Sequence, residues 1–264
     1  MTICAGVDSG SRATKVALLD ADGGTLLAAG AVDAGLKPEA VASALLDRLL
    51  AGCARRRDEV GAIVATGYAR HAIGFADAAV TEITCHATGV RRVVPGAATV
   101  VEIGGQDAKL LRLAPDGTVQ DFAMNDRCAA GTGRFLEVVA ARLGVPLEGL
   151  GALARAATAP AAISSMCVVF AETEIIGLLA QETPPADIVA GVQKSIASRV
   201  AGMAGRRVEA PVVFTGGVAL IPGMAEALAE ALGTAVATAP DPQMTGALGA
   251  AILACRRARP GSGA

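Results

Sequence analysis

Apolar runs of about five residues, each ending in an acidic residue and a glycine turn, occur at two distant places in this chain. "TICAGV" runs into Asp8 and "ATVV" runs into Glu102. After each turn a second apolar run heads back toward an "ADG" or "PDG" turn. Short apolar runs bounded by Gly and Asp predict strands, so each stretch predicts a β-hairpin. The two copies align without gaps. "VDSGSRATKVALLDADG" from Val7 lies on "VEIGGQDAKLLRLAPDG" from Val101, a shift of 94 residues with Val, Gly, Lys, Leu, Asp and Gly in register.

Helical spacing follows each hairpin. "KPEAVASALLDRLLAG" puts Ala42, Leu45, Leu46 and Leu49 on one face, and "EVGAIVATG" is the strand after it. The "RRR" at 55 to 57 is expected at a solvated helix terminus, where the dipole favours positive charge. "EITCHATGVRRVV" predicts another helix, in which Cys85 and His86 are expected to be structural. Phe135, Leu136, Val139 and Leu143 predict a helix beginning near Thr132, and Ile175, Ile176 and Leu179 predict a further one. "APVVF" followed by "TGGVALIPGMAEALAEAL" reads as strand, glycine turn and helix, and "MTGALGAAILACRRAR" as a closing helix of small residues.

Composition bounds this α/β pattern. A chain of 264 residues with 53% hydrophobic residues, 32 glycines and 18% charge can build one large or two modest domains on Ala, Val and Leu. The net charge of -2, no Trp and one Tyr exclude a phosphate-tracking basic face and a base-stacking platform, so no nucleic acid is expected. The N-terminus has no basic segment followed by an apolar one, and no run approaches about 18 apolar residues; a cytoplasmic protein without a membrane association is expected. Six cysteines without a C-x-x-C spacing, and only His71 and His86, argue against a small disulfide scaffold and a common zinc site. Cys4, Cys53 and Cys255 sit in apolar contexts that predict core packing.

Gly10, Gly104 and Gly105 allow backbone N–H groups to meet an anion, while Asp8 and Glu102 can hold a magnesium ion through water. Two such hairpins facing each other would grip a triphosphate, with Gly216, Gly217 and Val218 meeting the nucleoside at a helix start. Neither a G-x-x-x-x-G-K-[ST] loop nor a G-x-G-x-x-G fingerprint is present in these turns. This series of phosphate turns, adenosine loop and small-residue helix resembles the acetate and sugar kinase, heat-shock chaperone and actin superfamily of ATPases. The resemblance implies a two-lobed actin-like fold, a duplicated mixed β-sheet flanked by helices with ATP in the interlobe cleft. The expected lobes are residues 1–96, completed by the C-terminal helix 245–258, and residues 97–244.

Two cysteines stand apart from the others. Cys128 in "MNDRCAAGTGRF" and Cys167 in "SSMCVVFAETE" each precede a predicted helix start, where a positive helix end favours a thiolate or an anionic cluster. Three readings follow from the residues: two buried structural thiols, a disulfide, which a cytoplasmic setting disfavours, or ligation of an iron-sulfur cluster. A cluster usually takes four thiolates, and a two-fold homodimer would supply them from two chains.

"VEIGGQDAKL", "MNDRCAAGTGRFLE", "SSMCVVFAETEIIG" and "FTGGVALIPGM" together resemble the activators (archerases) of 2-hydroxyacyl-CoA dehydratases and the ATP-binding subunits of benzoyl-CoA reductase. The resemblance implies one four-iron four-sulfur cluster held by Cys128 and Cys167 of two subunits, and one MgATP or MgADP per subunit. It further implies ATP-driven transfer of a low-potential electron, taken from a ferredoxin or flavodoxin, to an acyl-CoA dehydratase or reductase partner. In this reading Asp8 and Glu102 organise magnesium and the attacking water, and Gln106 orients that water. Ser11, Arg12, Lys15 and the turn amides then offset phosphate charge. Two departures stand out: the family commonly has Asp where this chain has Glu102, and a Ser/Thr-rich stretch where it has "SGSRATK". Heterodimerisation with a related ATPase chain, as a permanent reductase subunit, and a small-molecule kinase are the competing readings. An actin-like filament is a third.

Overall fold

The computed structural model describes residues 2–22, 24–164, 167–205 and 208–258. Ser165 and Met166 of the "SSMC" stretch therefore lie outside the described residues. The chain divides into two compact units, one of Met1–Pro95, Pro115–Val119 and Gln243–Ala264, the other of Gly96–Ala114 and Gln120–Pro242.

The first unit holds a five-stranded sheet of β1 (Ile3–Ser9), β2 (Ala13–Asp20), β3 (Leu26–Asp33), β4 (Val60–Thr66) and β5 (Ala78–Ala79), in the order β3-β2-β1-β4-β5. β1 runs antiparallel to β2 and parallel to β4, which makes the sheet mixed. Every residue of β1 is buried, because helices cover both faces of the sheet. On one face Ile3, Ala5 and Val7 meet Leu45, Leu46 and Leu50 of α1 (Pro38–Gly52). On the other, Cys4 meets Ala247, Ala250 and Ala251 of the closing helix (Thr245–Ala258), which also packs on α2 (Glu82–Val93).

The second unit repeats the plan. β6 (Thr99–Ile103), β7 (Ala108–Leu113), β8 (Val119–Asn125), β9 (Val212–Thr215) and β10 (Val236–Thr238) lie in the order β10-β9-β6-β7-β8. β6 pairs antiparallel with β7 and parallel with β9, as β1 does with β2 and β4. Around this sheet stand α3 (Gly133–Leu143), α4 (Leu150–Arg155), α5 (Val168–Ala180), α6 (Pro185–Ala204) and α7 (Met224–Leu232); the closing helix of the first unit is α8. Phe135, Leu136, Ile175, Ile188, Val192, Ile196 and Phe214 form the centre of its core. The fold is thus the duplicated mixed sheet flanked by helices that the resemblance implies, with the two hairpins that the repeat predicts. No helix among the described residues is long and apolar enough to cross a membrane.

One helix face gains a residue and three local expectations are corrected. Leu49 is half-buried against the same core as Ala42, Leu45 and Leu46, as expected, and Leu50 joins them. The arginines at 55 to 57 do not end a helix: α1 stops at Gly52, Ala54 takes a left-handed backbone (φ 53°), and the three side chains turn to carboxylates instead. Arg55 meets Glu59 at 3.0 Å, Arg56 meets Asp58, and Arg57 meets Asp47 at 2.8 Å while stacking on Phe75. Ile176 is exposed while its neighbour Ile175 is in the core. Finally, Cys4 and Cys255 are not separate core thiols but form a disulfide between β1 and α8, with Cα atoms 5.2 Å apart at a sequence separation of 251. The reason is tertiary, since the last turns of α8 cross the start of β1.

Candidate functional site

The two hairpins are the same object built twice, down to individual bonds. In the first, Gly10 N–H donates to Ala13 O at 3.1 Å; in the second, Gly104 N–H donates to Asp107 O at 2.9 Å. These two amides are engaged in closing their turns, so the turn tips available to an anion are Ser11 and Arg12 in one copy and Gly105 and Gln106 in the other. Arg12 and Gln106 are exposed there, and Ser11 and Gly105 half-buried.

Each hairpin also carries a buried acid with a lysine directly across the ladder. Asp8 is in register with Lys15, and Glu102 with Lys109. Lys15 Nζ lies 3.3 Å from Asp8 Oδ2, and Lys109 Nζ lies 2.9 Å from Glu102 Oε2 and 2.7 Å from Asp107 Oδ2. Asp8 and Glu102 are only 5% and 4% exposed. A carboxylate so enclosed stays charged only where an opposite charge offsets its lost hydration, and the lysines supply that charge.

A third repeated piece went unmarked in the sequence comparison of the hairpins. Thr66 at the end of β4 is in register with Asp8, and Thr215 at the end of β9 with Glu102. Each threonine is followed by a glycine in the left-handed region, Gly67 at φ 93° and Gly216 at φ 91°. A side chain at either would strike the acid, since its first carbon would sit 2.6 Å from Asp8 Oδ1 or 2.8 Å from Glu102 Oε1. The signal is present in the sequence as "ATGY" and "FTGG", two Thr-Gly pairs that each close an apolar strand. Lys109 was likewise legible as the repeat of Lys15.

Cys128 sits in a loop that is tied down from both sides. Asn125, the last residue of β8, donates from Nδ2 to Cys128 O at 2.8 Å and accepts from Cys128 N–H at 3.1 Å. One 3-10 turn, Ala129–Gly131, then leads through Thr132 into α3. The first amides of α3 do not point into solvent. Gly133 N–H donates to Gly104 O and Arg134 N–H to Gly105 O, both at 2.9 Å. Glycine keeps this contact unstrained, because a side chain at Gly133 would press on Gly104 O at 3.1 Å and Val218 Cγ2 at 3.2 Å. The structure therefore brings Gly104, Gly105 and Val218 together around Gly133, and joins the second hairpin turn to the loop of Cys128.

Cys167 is the residue immediately before α5, and α5 packs against the 3-10 turn that follows Cys128. Neither cysteine is part of a disulfide; Cys128 is half-buried and Cys167 exposed. In the strand before Cys128 and the helix after Cys167 the second unit exposes Phe122 and Met124 of β8 and Val169, Phe170 and Ile176 of α5, with Phe170 at 70%. No group of three or more His, Cys, Asp or Glu side chains able to hold a metal ion occurs among the described residues. Two thiols per chain fit half the usual ligand set of an iron-sulfur cluster.

Cys85 and His86 are buried on α2, as expected of structural positions. Burial pushes the Cys85 thiol up to about 12, which keeps it protonated.

The duplicated sheet with its repeated acid-lysine hairpins defines an ATPase of the two-lobed, actin-like class. The chain belongs to the BadF/BadG/BcrA/BcrD ATPase family, whose model matches residues 5–254. It is 44% identical over 255 residues to an activator of lactoyl-CoA dehydratase from Anaerotignum propionicum, covering 96% of this chain and 98% of that one. It is 42% identical over 255 residues, 96% of this chain and 97% of the relative, to the (R)-2-hydroxyglutaryl-CoA dehydratase activating ATPase of Acidaminococcus fermentans. Among solved structures, the activator of the 2-hydroxyisocaproyl-CoA dehydratase from Clostridium difficile with bound ADPNP superposes with a TM-score of 0.92 at 39% identity, over 97% of this chain and 96% of that one.

Proposed function

We propose that this chain is an ATP-dependent one-electron donor that activates a 2-hydroxyacyl-CoA dehydratase. The observation that carries the reading is the pair of hydrogen bonds from Gly133 and Arg134 to Gly104 and Gly105. They make the proposed phosphate turn and the loop of Cys128 one connected piece, so a change at the turn is felt at the cysteine. The similarity to dehydratase activators over nearly the whole chain supports the same assignment.

In this reading the residues for MgATP are Asp8, Gly10, Ser11, Arg12 and Lys15 in the first unit, and Glu102, Gly104, Gly105, Gln106, Gly216, Gly217 and Val218 in the second. Asp8 and Glu102 would hold magnesium through water and direct the attacking water, with Gln106 at its turn tip. Charged and amide groups fixed in advance of the reaction stabilise the developing phosphate charge without reorganising. Cys128 and Cys167 from two copies of the chain would hold one four-iron four-sulfur cluster, which supplies a low-potential electron store. The exposed apolar side chains around both cysteines are what a buried face between two copies needs. A cytoplasmic ferredoxin or flavodoxin would be the source of the electron, and the acyl-CoA dehydratase its acceptor.

The test is iron and acid-labile sulfide per chain, with native mass, on anaerobically purified protein. About two irons per chain in a dimer is expected. Cys128→Ser should lose the iron and keep its nucleotide affinity. Iron-free protein that binds ATP after reconstitution would overturn the electron-donor reading, and a stable complex with a different ATPase chain would assign it to a reductase-type assembly instead.

A further inference from the structure

We propose that Asp107 is a positioning residue for Glu102, acting through Lys109. The proposal rests on the reading of Glu102 as part of the MgATP site, and it is carried by a difference between the two copies of the hairpin.

The shift of 94 residues that lays Glu102 on Asp8 and Lys109 on Lys15 lays Asp107 on Ala13. The two backbones do the same thing there. Ala13 O accepts from Gly10 N–H at 3.1 Å, and Asp107 O accepts from Gly104 N–H at 2.9 Å. The turn closes on an alanine as it does on an aspartate, so its shape does not call for the carboxyl group of Asp107. That group goes to the lysine instead. Lys109 Nζ donates to Asp107 Oδ2 at 2.7 Å and to Glu102 Oε2 at 2.9 Å. In the first hairpin, with alanine in the turn, Lys15 Nζ lies 3.3 Å from Asp8 Oδ2.

A lysine is a point charge on a flexible four-carbon stem, and one carboxylate alone lets the pair shift together. Held by a second carboxylate, Nζ has a fixed place, and the Glu102 oxygen bonded to it is fixed as well. Lys109 is 2% exposed, so water does not compete for these bonds, which join charged partners and are the stronger kind. Asp107 belongs to the turn that carries Gly105 and Gln106, and its side chain is 29% exposed. Two hydrogen bonds thus run from the proposed phosphate turn through the lysine to the buried acid. With Oε2 on the lysine, Oε1 lies on the side of Gly104 and Gly216. Groups that orient a functional carboxylate in this way commonly change activity by about 10- to 100-fold when removed.

The test compares the anaerobically purified full chain with Glu102→Gln, Asp107→Ala, Asp107→Asn, Lys109→Met and the double variant of Asp107→Ala with Lys109→Met. Steady-state ATP hydrolysis and binding of ADPNP are measured below the unfolding temperature of each. Glu102→Gln should abolish hydrolysis. Asp107→Ala gives the second turn the residue of the first; it should fold, lower kcat by about 10- to 100-fold, and leave KM for ATP and ADPNP affinity within about twofold. Asp107→Asn, which keeps an oxygen for Nζ, should recover much of the loss. The double variant should be no slower than Lys109→Met, because Asp107 then has nothing to act through. Hydrolysis surviving in Glu102→Gln removes the reading of the acid, and the proposal with it. Loss in Glu102→Gln together with wild-type kcat in Asp107→Ala overturns the role of Asp107 alone. So does an effect of Asp107→Ala on KM and ADPNP affinity with kcat unchanged, the result for a residue that only shapes the turn. Additive losses in the double variant overturn the route through Lys109. Should Lys109→Met fail to fold, equal losses in the Ala and Asn variants overturn the anchoring just as well.

Discussion

Lys109 stands 2% exposed between Glu102 and Asp107, whereas Lys15, its counterpart in the first hairpin, meets one carboxylate and is partly solvated. Removing the lysine takes away the charge that faces a buried carboxylate, a change that typically costs about 3 to 5 kcal/mol. Lys109→Met is therefore expected to lower the unfolding free energy by about that amount in urea titration, and Lys15→Met by clearly less. Equal losses would show that burial does not set the difference. That an acid and a lysine recur seven residues apart was visible in the aligned hairpins. Which lysine is the deeper one was not, because burial depends on the helices laid over each sheet.

The loop that joins β8 to α3 takes its shape from one side chain. Asn125 both donates to and accepts from the backbone of Cys128, so its amide fixes where that cysteine points. Asn125→Ala removes both bonds at the edge of the core without opening it. The expected outcome is chain that keeps its helix content by circular dichroism but retains less iron than wild type after desalting; unchanged iron would show that the clamp does not matter to the thiol. The sequence marked a loop at Asn125 and Asp126 and a helix near Thr132, since Asn, Gly and Thr at those spacings encode turns and helix starts locally. It misjudged "RRR", because a basic run after an apolar helix looks like a helix end whether or not carboxylates such as Asp47 and Glu59 are folded against it.

In the second unit, Val169 and Phe170 of α5 and Phe122 and Met124 of β8 are exposed apolar side chains, on the same unit as Cys128 and Cys167. If two copies bury this face, a charge placed in it must be desolvated without a partner. Phe170→Glu is thus expected to elute at the mass of one chain and to carry far less iron, with the unit still folded. A dimer that persists in Phe170→Glu would place the contact elsewhere. Single exposed apolar residues are ordinary, and it is their place in the strand before Cys128 and the helix after Cys167 that gives this set meaning.

The sequence alone determined the elements and their duplication. Strand alternation, turn glycines and helix spacing act between residues a few positions apart, so the two hairpins, the Thr-Gly strand ends and both cysteine loops are written in consecutive letters. What only the tertiary structure decided are the meetings of distant segments. Gly133 bonds to Gly104, Cys4 reaches Cys255, and His86 shares a hydrogen bond with Thr245. Each depends on how closely a helix lies on a sheet or on another helix, a distance set by side-chain volume on both surfaces at once. No period along one chain records that sum.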